Sequence, residues 1–210
     1  YEFEKRNGFF KLLTKGPQSG DAAAVKVAPG SDRKWFSEFI DDELAERDKA
    51  GALEHGELRN CAVVFLNFSG ISYGKDFDYD LLNEFFILAA STVKKYQGFI
   101  NKIDMGDKGN KIIALFGAPV STEKNEEFAL RALQEIRQNK PAGIEIKAGI
   151  NNGNIYFGLV GASHRQEFTV MGNTVNLSAR LMASAKKDEI IISGHIKERV
   201  PEVETGEERK

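Results

Sequence analysis

Apolar positions follow two different periods along the chain, and each period predicts its own kind of element. Every residue of Cys61–Leu66 is apolar, which is typical of a strand that is buried on both faces. Within residues 78–97, Phe85 and Leu88 lie on one helical face. Gly98 follows as a stop signal. The pattern therefore predicts a buried strand followed by an amphipathic helix.

The remaining pattern predicts two hairpins, two further helices and a last strand. Turn residues between Gly106 and Gly109 separate two apolar runs, which favours a hairpin. Strict alternation up to Ile150 is followed by Asn152-Gly153, a type I′ turn signal, so we expect a second antiparallel pair there. The complete set consists of strands over residues 61–66, 99–105, 111–116, 144–150, 155–160, 167–171 and 189–192, and helices over residues 78–97, 122–138 and 172–185.

The order of these elements predicts an α+β sandwich in which helices cover a sheet. The first six elements read βαββαβ, the ferredoxin-like arrangement, with an extra C-terminal helix and strand. Residues 1–57 are expected to form a linker with a short amphipathic helix, which begins at Trp35 and ends near Gly51. Residues 58–198 form the main domain, and residues 199–210 form a polar tail.

Composition narrows the class of partner. The 210 residues carry 41% hydrophobic and 29% charged side chains, enough for one core. A net charge of -2 argues against nucleic acid, whose binders carry clustered basic surfaces. No apolar stretch reaches the roughly 20 residues that span a bilayer. A single cysteine, Cys61, fits a reducing compartment, so we expect a cytoplasmic protein. The missing initial Met and the polar end indicate a fragment of a longer chain.

The segment of residues 167–181 carries the most specific chemistry. Asn176 and Arg180 are four residues apart, so on a helix both side chains lie on one face. Such a pair alone is more often part of a solvated surface. The whole segment, Glu-Phe-Thr-Val-Met-Gly-Asn-Thr-Val-Asn-Leu-Ser-Ala-Arg-Leu, closely resembles the signature of class III nucleotidyl cyclases. The resemblance implies that Asn176 orients the ribose and that Arg180 stabilises charge on the α-phosphate as pyrophosphate leaves.

Further segments extend the resemblance over residues 58–195. The hairpin Ile100–Gly109 is lengthened as in the second catalytic half of soluble, bicarbonate-responsive adenylyl cyclases, which is the form that this chain most resembles. The supporting segments are Phe65-Leu-Asn-Phe-Ser-Gly-Ile-Ser, Ala114-Leu-Phe-Gly-Ala-Pro and Gly149-Ile-Asn-Asn-Gly-Asn-Ile-Tyr-Phe-Gly-Leu-Val-Gly.

The resemblance places Lys102 and Thr169 at the positions that read the base. A lysine that donates to N1 and a hydroxyl that accepts from the exocyclic amine would complement adenine. Guanylyl cyclases tend to have Cys at the second position, where this chain has Thr169. Taken alone, Lys102 would more often be an exposed strand lysine. Together with Asn176 and Arg180, it is interpreted as a nucleotide-binding residue.

The chain departs from the family at the metal site. Active members hold two divalent ions with two aspartates, and here Asn67 and Asn110 stand at the expected positions. An amide offers an oxygen but no charge, so it compensates a metal pair poorly. Asp104 and Asp107 lie nearby, either as turn residues or with a residual metal role. No complete metal site is therefore predicted.

These observations favour one function over two alternatives. The chain is expected to be the base-reading and transition-state half of an adenylyl cyclase, which converts ATP to cyclic AMP and pyrophosphate. A metal-bearing cyclase domain, expected upstream in the same parent chain, would supply Mg²⁺ or Mn²⁺. The isolated chain, even as a homodimer, should be nearly inactive. The alternatives are a catalytically inactive dimerisation or regulatory module and, less favoured by Lys102 and Thr169, a guanylyl cyclase.

Overall fold

Two units make up the chain, Tyr1–Ile40 and Asp41–Lys210. In the first unit, strands β1 (Phe3–Arg6) and β2 (Phe9–Leu12) pair antiparallel, within a stretch where the sequence showed no sustained period. The computed structural model describes residues 3–6, 9–12, 42–49, 56–73, 77–106, 109–162 and 165–206.

The second unit is built on a six-stranded sheet with β3 at its centre. The hydrogen-bonded order is β4-β5-β3-β6-β7, and β8 pairs parallel to β6. β3 is antiparallel to both of its neighbours, β5 and β6. The strands are β3 (Glu57–Ser69), β4 (Phe99–Gly106), β5 (Gly109–Phe116), β6 (Glu145–Ala162), β7 (Arg165–Met171) and β8 (Glu189–Ile192).

Five helices accompany this sheet, and local signals explain where the longest one begins and ends. The Asp78 side chain accepts a hydrogen bond from the Leu81 amide at 3.0 Å, which caps the first turn of α2. Lys94 and Lys95 in its last turn suit the negative end of the helix dipole. The helices are α1 (Asp42–Lys49), α2 (Tyr79–Lys95), α3 (Asn125–Asn139), α4 (Asn173–Ser184) and α5 (Gly194–Arg199).

Alternate residues of β3 contribute to two separate cores, one on each face of the sheet. Val64 and Phe68 belong to the core that α2, α3 and α5 cover, while Val63 and Phe65 belong to the core that α4 covers. Because successive strand residues point to opposite faces, the apolar run Cys61–Leu66 of this one strand serves both cores. The predicted α+β class and the βαββαβ order are confirmed.

The predicted turn at Asn152-Gly153 is wrong. β6 continues through both residues as one strand of 18 residues. Its register with β3 is unbroken, with Cys61 opposite Gly153. The 13-residue partner strand pairs with β6 from Glu145 to Phe157, on both sides of Asn152 and Gly153, which outweighs the local turn signal. A Cβ at Gly153 would lie 2.6 Å from the Thr174 hydroxyl, so the glycine allows α4 to approach the strand. The antiparallel partner that follows β6 is β7.

Further differences concern where elements begin and end. α5 was not predicted, and Val200, inside the predicted polar tail, is buried in the core beside it. β3 begins four residues before Cys61. Only the last part of the helix expected from Trp35 coincides with α1, and Trp35 itself lies outside the described residues. Boundaries shift in this way because helix and strand ends depend on tertiary contacts.

Candidate functional site

A β-bulge determines the side of the sheet to which Lys102 points. β4 pairs with β5 in regular register up to Ile100, and the register then shifts so that Lys102 lies opposite Ile113. Ile100 packs against the core under α2 and α3, whereas Ile113 packs against the core under α4. Without the extra residue, Asn101, positions 100 and 102 would share a face. The bulge therefore moves Lys102 to the α4 side of the sheet.

Lys102 bridges the two edges of the sheet. Its ammonium donates a hydrogen bond to the carboxylate of Glu167 on β7, although β4 and β7 are at opposite ends of the strand order. The sheet must therefore curl until its edges approach each other. Both side chains are about half exposed, at 47% and 58%. The hydrogen bond and the charge of Lys102 lower the pKa of the Glu167 carboxyl below its usual value.

Thr169 lies on the same side of β7 as Glu167, because the two residues are two positions apart on one strand. The residues that alternate with them, Phe168 and Val170, face the core under α4. Phe168 packs edge-on against Phe157, with ring centroids 4.7 Å apart. β7 is thus anchored by one side and presents Glu167 and the half-buried Thr169 on the other. From the α4 side of the sheet, the ammonium of Lys102 reaches only as far as Glu167, whose side chain lies on this opposite side of β7, two residues before Thr169.

α4 presents Asn176 and Arg180 on its exposed face, as the four-residue spacing predicts. The opposite face is fixed: Ser178 is fully buried and donates to the Thr174 carbonyl at 3.0 Å. The Thr174 hydroxyl donates to the Asn154 carbonyl on β6 at 3.1 Å. In the part of the chain that the structure describes, the side chains of Asn176 and Arg180 form no hydrogen bond or ion pair. Both groups are available to a ligand, and no direct contact joins them to Lys102.

Asn67 and Asn110, at the two expected aspartate positions, stabilise the contact between β3 and β5. The Asn67 amide donates to the Asn110 carbonyl at 2.9 Å, and the buried Asn110 amide donates to the Phe68 carbonyl at 3.3 Å. They line an open cleft of about 460 Å³ together with Ser69 and Lys147. The two amides therefore have a structural role in holding neighbouring strands together.

The charges around Asn67 do not fit a pair of divalent cations. Its register neighbours are two lysines, Lys111 on β5 and Lys147 on β6. Lys111 forms an ion pair with the exposed Asp104 at 3.3 Å. Asp107 lies outside the described residues. Among the residues that are described, no cluster of three or more His, Cys, Asp or Glu side chains could hold a metal.

Glu167 is the functional candidate that sequence reasoning assigned no role. The sequence could have indicated Glu167, because it precedes Thr169 by two positions and strand alternation puts both side chains on one side of β7. The bulge at Asn101 left no signal in the sequence.

Within the described ranges, no helix is both long and apolar enough to cross a bilayer.

Comparison with known proteins identifies what this arrangement resembles. The family model described as the adenylate and guanylate cyclase catalytic domain matches residues 63–208. The uncharacterized proteins Mb1353c of Mycobacterium bovis and Rv1319c of Mycobacterium tuberculosis are each 34% identical over 167 residues, covering 73% of this chain. The chain spans only 30% of the length of these relatives.

Solved structures show the same fold. The adenylyl cyclase CyaB from P. aeruginosa superposes with a TM-score of 0.61 at 25% identity, covering 71% of this chain and 84% of CyaB. The guanylyl cyclase Cya2 superposes with a TM-score of 0.53 at 24% identity, covering 69% of this chain and 79% of Cya2. Because enzymes named for either nucleotide share the fold, the fold alone does not select the base.

Proposed function

The chain belongs to the family of adenylyl and guanylyl cyclase catalytic domains, and within this family we propose that it supplies the base-reading and transition-state half of an adenylyl cyclase site. The observation that carries the proposal is the position of Lys102, which a bulge directs to the α4 side of the sheet and whose ammonium binds Glu167 on β7, two residues before Thr169. The substrate would be ATP, and the products cyclic AMP and pyrophosphate.

Base selection rests on the hydrogen-bonding groups that Lys102 and Thr169 offer. The adenine edge presents an acceptor at N1 and a donor at its amine, so an ammonium and a hydroxyl oxygen complement it. Guanine presents N1–H and a 6-oxo group in the same place. With guanine, the ammonium of the lysine would face N1–H, so that two hydrogen-bond donors would meet without an acceptor. The resulting loss of binding free energy for guanine is larger than the gain for adenine.

Arg180 and Asn176 would act on the ribose and α-phosphate. The 3′-oxygen attacks the α-phosphorus, loses its proton, and the bond to the pyrophosphate oxygen breaks. A guanidinium that is planar and always charged suits the charge that grows on the α-phosphate oxygens in this step. An amide such as Asn176 holds the ribose without adding charge. Both side chains stand on the exposed face of a helix whose other face is fixed, which favours a preorganised arrangement.

A second cyclase domain would provide the metal half of the site. Because Asn67, Asn110 and the two lysines opposite Asn67 do not suit divalent cations, Mg²⁺ or Mn²⁺ would be held by carboxylates of this partner domain. We place the partner in the same parent chain, in the cytoplasm. A homodimer of this chain would duplicate the base-reading half and leave out the metal half.

The rival proposal is an inactive module that dimerises or regulates. The amide contacts of Asn67 and Asn110 support it, because the side chains at both expected aspartate positions bond to a neighbouring strand. The first experiment supplies the purified chain with ATP and Mg²⁺ or Mn²⁺, alone and with a metal-bearing cyclase domain. Cyclic AMP should form only in the mixture. Robust turnover by the chain alone would refute the division of the site between two domains.

Arg180→Ala in the active mixture separates the proposal from its rival. Loss of one preorganised charge-stabilising donor should lower kcat by roughly 10²-fold or more. KM should change much less, since the contact is made mainly in the transition state. The exposed side chain leaves no cavity when shortened, so the melting temperature should hold. An intact, paired variant with unchanged kcat would leave the regulatory module as the better account.

A further inference from the structure

We propose that Glu167 is a positioning residue for base selection: it holds the ammonium of Lys102 at the base-reading edge and thereby favours ATP over GTP. The proposal rests on the proposed function. It is carried by the ion pair between Lys102 and Glu167, which is formed between residues 65 positions apart and across opposite edges of one sheet.

Glu167 has the shorter side chain of the pair and extends from a strand that is anchored in the core. Glu167 lies next to Phe168, whose ring packs against Phe157 in the core, and two positions before Thr169 on the same side of β7. Lysine, by contrast, carries its charge on a flexible four-carbon stem. In the pair, the fixed strand therefore restrains the position of the flexible ammonium.

The ammonium keeps enough hydrogen-bonding capacity to read the base. It has three N–H donors, and the carboxylate uses one of them. Two donors remain for N1 of adenine or a water. The Glu167 carboxyl is ionised at neutral pH, as an ordinary glutamate is, and Lys102 lowers its pKa further, so the ion pair is present at neutral pH.

The same pair disfavours guanine. A free carboxylate at this edge would accept from guanine N1–H and the 2-amine, which would make the site suitable for GTP. While Glu167 accepts from Lys102, that carboxylate is engaged, and GTP would have to break the ion pair to use it. Glu167 therefore selects against GTP only as long as Lys102 is present.

The test measures kcat/KM for ATP and GTP in the complex with the metal-bearing domain. Glu167→Gln keeps the size of the side chain and removes its charge. We expect kcat/KM for ATP to fall about fivefold, the upper range for a partly exposed ion pair, mainly through a higher KM. The ATP to GTP preference should fall by a similar factor. Glu198→Gln removes another exposed glutamate, on α5, and should change neither value.

A double-mutant cycle separates positioning from direct contact. If Glu167 acts through Lys102, Glu167→Gln should have no further effect in a Lys102→Ala background. Additive effects would overturn the inference by showing that Glu167 acts on the base independently. A changed preference in Lys102→Ala with none in Glu167→Gln would also overturn it, while the proposed function stands. If neither variant changes the preference, the assignment of the base-reading edge itself fails.

Discussion

Gly149 is the point where the central sheet and α4 are in closest contact. It lies on β6 opposite Phe65, on the side of the sheet that α4 covers. A Cβ at this position would be 2.3 Å from both the Met182 amide nitrogen and the Ser178 carbonyl oxygen. These are backbone atoms of α4, which cannot rotate away as a side chain can. Gly149→Ala therefore has to displace the helix that carries Asn176 and Arg180.

The magnitude of this displacement follows from the distances. Since carbon contacts are most favourable at about 3.5–4.0 Å and the Cβ would lie at 2.3 Å, α4 would have to withdraw by roughly 1.2–1.7 Å. Overpacking of this kind costs about 1–3 kcal/mol of unfolding free energy. A shift of about 1 Å in a positioned group can lower turnover on the order of 10²-fold. We expect Gly149→Ala to reduce stability moderately and activity strongly.

Urea denaturation of the variant gives the change in unfolding free energy, and cyclic AMP formation in the complex gives the change in kcat. Gly194→Ala is the matched control, because a Cβ there meets nothing within 4 Å. It adds the same methyl group at the first residue of α5, where Ala is the better helix former. If Gly149→Ala stays within about 0.5 kcal/mol of the unmodified protein, the close helix contact is not rigid and the reasoning fails.

Three further predictions address the base, the core and acid stability. Replacing Lys102 by Glu together with Thr169 by Cys should shift the ATP to GTP preference towards GTP by about tenfold. An unchanged ratio would show that neither residue contacts the base. Cys61 is fully buried and its thiol pKa is raised to about 12, so a thiol reagent should label it only after unfolding; rapid native labelling would contradict this burial. Burial raises the pKa of Asp188, but hydrogen bonds from a β6 amide and Lys140 lower it below its usual value overall. Because the carboxyl pKa is lower in the folded than in the unfolded protein, the ionised Asp188 stabilises the fold at pH values above the unfolded-state pKa, and this stabilisation is lost as pH falls through the folded-state pKa. Asp188→Asn should therefore lower the free energy of unfolding by under about 1 kcal/mol near pH 7 and by less in acid. An equal loss at both pH values would count against the ion pair.

Local patterns predicted the elements whose cause is local. The strand Glu189–Ile192 and the hairpin around Gly106–Gly109 were placed within one or two residues, because alternation and turn residues act over short distances. Asn152-Gly153 failed for the opposite reason. Its local preference for a turn competes with pairing to β3, a strand more than 80 positions earlier in the chain. Such pairing is decided by the assembled sheet, which a local window does not contain.

The candidate site divides in the same way. The helical spacing of Asn176 and Arg180 was sufficient to predict that they share an exposed face. The orientation of Lys102 depends on a one-residue register shift against β5, and its partner Glu167 lies on a strand at the far edge of the sheet. Neither property follows from the residues around position 102, because a bulge and a curled sheet are consequences of how whole strands pair.

The asparagines at the expected metal positions and the polar residues on α4 differ in whether their side chains have hydrogen-bond partners. Asn67 and Asn110 bond to the backbone of neighbouring strands, so replacing either by aspartate would introduce a charge beside a backbone carbonyl that now accepts from an amide. Asn176 and Arg180 have no side-chain partner within the described ranges, although their helix is firmly packed on its other face. Polar groups held on a fixed element without internal partners retain their full capacity for a ligand. This contrast favours the proposal that the chain contributes ligand contacts from α4, while Asn67 and Asn110 hold β3 and β5 together.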